Sequence, residues 1–102
     1  MTTQADSLRG AARRFGTPLY AMSVASLDAA AADLREAFPD PWLRAFSVKA
    51  NDVPAVIARL SAAGLDANVV SSGEWAAARR AGVPNGRITL EGVGKTAADL
   101  RA

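Results

Sequence analysis

One lysine draws attention first. The run Leu43-Arg44-Ala45-Phe46-Ser47-Val48-Lys49-Ala50-Asn51 delivers Lys49 to the end of an apolar segment of strand length, and the polar pair Asn51-Asp52 follows at once. Parallel α/β folds carry their chemistry at the C-terminal ends of strands. A lysine there, its stem packed on apolar neighbours, can be partly unprotonated and act as an amine nucleophile toward an aldehyde. The plainer reading is a strand-end lysine that reaches water, since lysine is mostly a surface residue. A second junction, Val69-Val70-Ser71-Ser72-Gly73-Glu74, supports two roles. The spacing of Ser71 and Glu74 is that of a helix capping box, and the same residues would line the strand-end face that Lys49 reaches. A third, Thr89-Leu90-Glu91-Gly92-Val93-Gly94-Lys95-Thr96, invites a phosphate-loop reading. That loop needs glycine where Thr89 stands, so a strand-to-helix turn with Thr96 as its cap is the better account. Lys95, beside Gly94, lacks an apolar strand to desolvate it.

These residues need a scaffold, and the pattern around them supplies one. Residues about 5–15 read as a short helix, with Leu8, Ala11, Ala12 and Phe15 at helical spacing and Gly16 and Pro18 as its stop. Pro18–Val24 reads as a strand. Ser26 is placed as the cap of a helix bearing Leu27, Ala30, Ala31, Leu34 and Phe38, ended by Pro39 and Pro41. Strands over 43–48, 65–70 and 87–91 then alternate with helices over 53–63 and 73–81, and Thr96 opens another. Strands alternating with helices at this spacing mean βαβ units and a parallel sheet. Three such strands leave an open edge on each side and one uncovered face. The expectation is therefore the N-terminal piece of a longer protein. Trp42 and Trp75 are expected to be packing residues.

Composition narrows the function classes. The chain has 102 residues, is half hydrophobic, and carries twelve Lys+Arg against ten Asp+Glu. The near balance of charge, with only 6% aromatics, lacks the clustered footprint of a nucleic-acid binder. With no cysteine and no histidine, thiolate metal sites, disulfides and the usual general base are missing, and no metal site is expected. No signal peptide or membrane-length apolar stretch is evident. A cytoplasmic location is expected.

Taken in order, Gly16-Thr17-Pro18-Leu19-Tyr20, Phe46–Asn51, Gly64–Glu74, Ala81-Gly82-Val83-Pro84 and Gly92–Thr96 resemble the N-terminal region of fold-type III pyridoxal-phosphate decarboxylases. The diaminopimelate decarboxylase branch is the most similar. The resemblance spans residues 16–100. It implies an α/β architecture: the first three or so βα units of an alanine-racemase-like (β/α)8 barrel over 26–102, preceded over 1–25 by a helix and a strand of a second, β-rich domain. It implies Lys49 as the Schiff-base lysine, with Lys49, Asn68 and Ser71 binding pyridoxal 5'-phosphate. It further implies an amino-acid substrate and a homodimer, with no nucleic-acid or membrane partner. Asn68 stands where the family usually has aspartate, which removes a carboxylate near the lysine amine, and Glu91 replaces a small or aromatic residue. The other readings are a non-catalytic pyridoxal-phosphate-binding barrel protein, against which the Gly16–Val24 segment argues, and an inactive truncated product.

Overall fold

The computed structural model describes all residues from Met1 to Ala102. Helices α1 (Gln4–Phe15) and α2 (Val24–Ala37) precede the sheet-forming part. Strand β1 (Ala45–Ser47) runs into a 3-10 turn over Val48–Ala50, then α3 (Pro54–Ala62), β2 (Asp66–Val69), α4 (Ser72–Arg80), β3 (Ile88–Leu90) and α5 (Ala97–Arg101) follow. The three strands form one parallel sheet in the order β1-β2-β3. Ser47 lies opposite Asn68, and Asn68 opposite Thr89.

Local chemistry explains the helix boundaries. Thr3 and Asp6 close a complete capping box on α1, and Thr96 and Asp99 do the same on α5. Pro54 occupies the first turn of α3, where its missing N–H costs nothing. The cap of α2 is Ser23, whose hydroxyl accepts from the Ser26 amide at 3.2 Å. Ser26 was the expected cap. The helix starts earlier because Ser23 has the extended backbone a cap needs, while Ser26 is already inside the first turn.

The strand expected over Pro18–Val24 is not found. Residues 16–23 carry no regular structure and Val24 already belongs to α2. A strand exists only through its ladder, and no segment of this chain pairs with it. Tyr20, Met22 and Val24 are left exposed.

Alternation along the strands divides the sheet into two unlike faces. One face is covered by α3 and α4. There Val48, Ile57, Ala67, Val69, Ala77, Ala78 and Val83 form the core, with Phe46, Trp75, Ile88 and Leu90 packed against it. The other carries Ala45, Ser47, Asp66, Asn68 and Thr89 by register. Arg87 stitches the N-terminal end of the sheet: its guanidinium donates to Asp66 Oδ1 and to the Leu65 carbonyl, both at 2.8 Å. Of the tryptophans, Trp75 is half-buried and donates to Asn85 Oδ1 at 3.0 Å. Trp42 instead lies exposed, edge-on to Phe38 with ring centroids 6.3 Å apart.

The chain is open. Its accessible surface is 7237 Å², against about 5,400 Å² for a compact monomer of this mass. Its radius of gyration is 16.1 Å, where about 13 Å is usual at this length. Only 9 residues are buried, all apolar, so one three-strand layer with helices on one side defines what core there is.

Candidate active site

Adjacent parallel strands end at the same edge, so the C-terminal ends of β1 and β2 bring the loops bearing Lys49 and Ser71 to one side of the sheet, with Asn68 just behind. The expected residues therefore share one end of the fold. Their surroundings differ from expectation in three respects.

Lys49 does not end a strand with its stem buried. β1 stops at Ser47, and the chain tightens into the 3-10 turn Val48–Ala50. The turn sends Val48 into the core, fully buried, and leaves Lys49 exposed. None of the four ion pairs includes Lys49. What this segment gives the lysine is access, with desolvation left to whatever covers the strand ends. Asn51 closes the turn, its Oδ1 accepting from the Val53 amide at 3.0 Å, and so fixes the step from Lys49 into α3.

Ser71 caps α4, its hydroxyl accepting from the Glu74 amide at 3.1 Å. The reciprocal arm of the expected box goes elsewhere. Glu74 Oε2 accepts from the Val70 amide at 2.8 Å, one residue before the cap. Val70 is the first residue past β2, so its amide has left the ladder and needs a partner. Ser71 remains exposed, free to donate its hydroxyl proton outward.

Lys95, expected in a loop with no apolar strand to desolvate it, is half-buried, and its ammonium donates to the Val70 carbonyl. Sequence reasoning missed this contact. The one available signal was Gly92: its φ is +99°, and a Cβ there would lie 3.2 Å from Lys95 Nζ. Thr96, by contrast, caps α5 as expected. Its hydrogen bonds, from backbone and then side chain, hold the Asp99 carboxyl below the usual range, with the nearby Lys95 charge assisting.

Two atoms on the uncovered face are orphaned. Ser47 Oγ and Asn68 Oδ1 are buried without any hydrogen-bond partner, on register-paired positions two residues before Lys49 and two before Val70. Buried polar atoms are almost always satisfied, so this pair marks a place built for a polar group from outside the segment. The pair is neutral, one hydroxyl and one amide oxygen, and the exposed Lys49 lies at the same end of the sheet, which fits an aldehyde-bearing polar cofactor. No cluster of three His, Cys, Asp or Glu side chains is placed to hold a metal ion, and no helix is long and apolar enough to cross a membrane.

Comparison with known proteins bears on this geometry directly. The family model for the pyridoxal-dependent decarboxylase pyridoxal binding domain matches residues 24–102. Diaminopimelate decarboxylase of Aquifex aeolicus is 43% identical over 94 residues, covering 92% of this chain and 22% of that protein. The enzyme of the same name from Deinococcus radiodurans is 37% identical over 102 residues, covering 100% and 27%. Among solved structures, AQ1208 of Aquifex aeolicus matches with TM-score 0.84 at 42% identity over 91% of this chain and 23% of that one. A diaminopimelate decarboxylase mutant from Helicobacter pylori, complexed with L-lysine, matches with TM-score 0.73 at 28% identity over 86% and 23%. The chain thus spans about a quarter of the length of these relatives, and its βα units have the fold of the N-terminal part of their barrel. With a family model covering everything from α2 onward and a parallel sheet that superposes on solved relatives, the chain belongs to the pyridoxal-dependent decarboxylases.

Proposed function

We propose that the protein carrying this chain is a pyridoxal-phosphate-dependent carboxy-lyase acting on an amino acid, of the diaminopimelate decarboxylase type, with Lys49 as the covalent attachment point of the cofactor. The observation that carries the reading is the exposed Lys49 in the turn just past β1, at the same end of the sheet as the orphaned Ser47 Oγ and Asn68 Oδ1. Bound pyridoxal phosphate would supply the electron-accepting ring on which a bond to a carboxyl group can be broken. The residues of this segment hold and orient. Lys49 presents an amine with no competing ion pair, Asn68 offers an uncharged amide in place of a carboxylate, and Ser71 offers a hydroxyl proton, one of its two lone pairs being used by the helix cap. An uncharged Asn68 places no carboxylate at that position of β2, whose acidic residue Asp66 is paired with Arg87 at the opposite end of the sheet. In this reading residues 1–25 belong to a second domain and 26–102 to the barrel. The protein is a homodimer of the cytoplasm without nucleic-acid or membrane partners; the nearly balanced charge speaks against nucleic acid.

The test is borohydride trapping of pyridoxal phosphate on the full-length protein, followed by peptide mass mapping. The pyridoxyl label is expected on Lys49 and not on Lys95, the other lysine of the chain. Lys49→Ala and Lys49→Arg should both lose the label and reduce turnover by orders of magnitude, because guanidinium keeps its proton and cannot form the imine. A label on Lys95, or one that survives replacement of Lys49, overturns the proposal.

A further inference from the structure

The two strand-end junctions of the sheet are joined through a single peptide. Val70 lies just beyond β2, and both of its backbone groups are taken by charged side chains from different elements. Glu74 of α4 accepts from its N–H, and Lys95 of the β3–α5 loop donates to its C=O. Both side chains are half-buried, where charge-assisted hydrogen bonds are stronger than neutral ones. Lys95 takes part in no ion pair, so the carbonyl is the partner its ammonium has. The loop is shaped for this contact. The Glu91 amide prolongs the pairing by donating to the Val69 carbonyl at 2.9 Å. Gly92 then turns with φ +99° and leaves open the space in which Nζ sits.

We propose that Lys95 is a positioning residue. Its ammonium ties the β3–α5 loop to the β2–α4 junction, and so fixes Asn68, Ser71 and the Val70 peptide in the geometry that receives the cofactor. The tie between the two junctions stands on the contacts alone, and its bearing on the cofactor rests on the function proposed above.

The experiment compares full-length Lys95→Met and Gly92→Ala with the parent. Lys95→Met keeps most of the stem and removes the charged donor. Gly92→Ala leaves the charge in place but puts a Cβ against Nζ on a backbone that strains alanine. Hydrogen exchange is followed in peptides covering 69–75 and 91–97, and the dissociation constant for pyridoxal phosphate is taken from absorbance titration. Each single variant should speed exchange in both segments together by about tenfold, and weaken cofactor binding by a similar factor. Exchange in α1 should stay unchanged. The proposal is overturned by unchanged exchange in Lys95→Met, by acceleration spread evenly over the chain, or by unchanged affinity in variants of a parent that binds the cofactor. A parent that binds no pyridoxal phosphate instead refutes the proposed function, while the exchange data still decide whether Lys95 ties the junctions.

Discussion

Arg87→Met should weaken the fold from the end of the sheet opposite the candidate site and leave the site's chemistry alone. Arg87 sits just before β3 and holds three elements. It donates to Asp66 Oδ1 at the start of β2, to the Leu65 carbonyl, and more distantly, at 3.4 Å, to the Ser61 carbonyl in the last turn of α3. The side chains of Arg87 and Asp66 are 36% and 23% exposed. A hydrogen bond to a charged group contributes about 1.5–3 kcal/mol net, and partial exposure reduces the ionic part. Methionine keeps much of the stem's packing, so losing this cluster should destabilise by about 2 kcal/mol, since the half-buried Asp66 carboxylate and the carbonyl of buried Leu65 lose their donor. Native-state hydrogen exchange of the β2 amides reads this as roughly thirty-fold faster exchange. Borohydride trapping at Lys49 should be unchanged, because the catalytic end of a parallel sheet is the C-terminal one and the other end serves stability. Acceleration of less than about threefold would show that the cluster contributes little. Loss of trapping would show that the two ends are not separable.

Three further outcomes follow from the same geometry. Asn68→Asp is nearly isosteric, so folding should persist, while a carboxylate on this strand favours the protonated amine. The pH at which half the protein captures pyridoxal phosphate should therefore rise, and an unchanged midpoint would mean that Asn68 does not face the lysine. The Asp28 carboxyl is held below its usual range by its hydrogen bonds from Arg59, at 2.7 and 2.6 Å. A carboxyl depressed in the folded state stabilises above its unfolded value and loses that contribution as pH falls through the folded one. Asp28→Asn should thus flatten the acid limb of stability below about pH 4, read by unfolding across a pH series, and an identical limb refutes the assignment. The isolated 102-residue chain, with Phe15, Tyr20, Trp42 and Leu43 exposed, should melt broadly or associate, and a sharp two-state melt of a monomer in size-exclusion chromatography would contradict this.

The order of elements from α2 onward, the parallel sheet and the strand-end placement of Lys49, Asn68 and Ser71 were determined by the sequence itself. They depend on apolar periodicity, on caps such as Thr96 with Asp99, and on stops such as Gly64 and Gly82, all of which act within a few residues. Tertiary structure decided what depends on a distant partner. The Pro18–Val24 segment has strand composition, yet without a neighbouring strand it has no ladder to join. Lys49 looked ready for burial beside Phe46 and Val48, but the 3-10 turn gives the core to Val48 and leaves the lysine in solvent. Lys95 has no apolar strand beside it in the sequence, yet the register of β2 against β3 places the Val70 carbonyl within reach, 25 residues back in the chain. Periodicity specifies which face of an element is apolar, whereas the partner of a charged group is fixed only when strands from separate parts of the chain come into register.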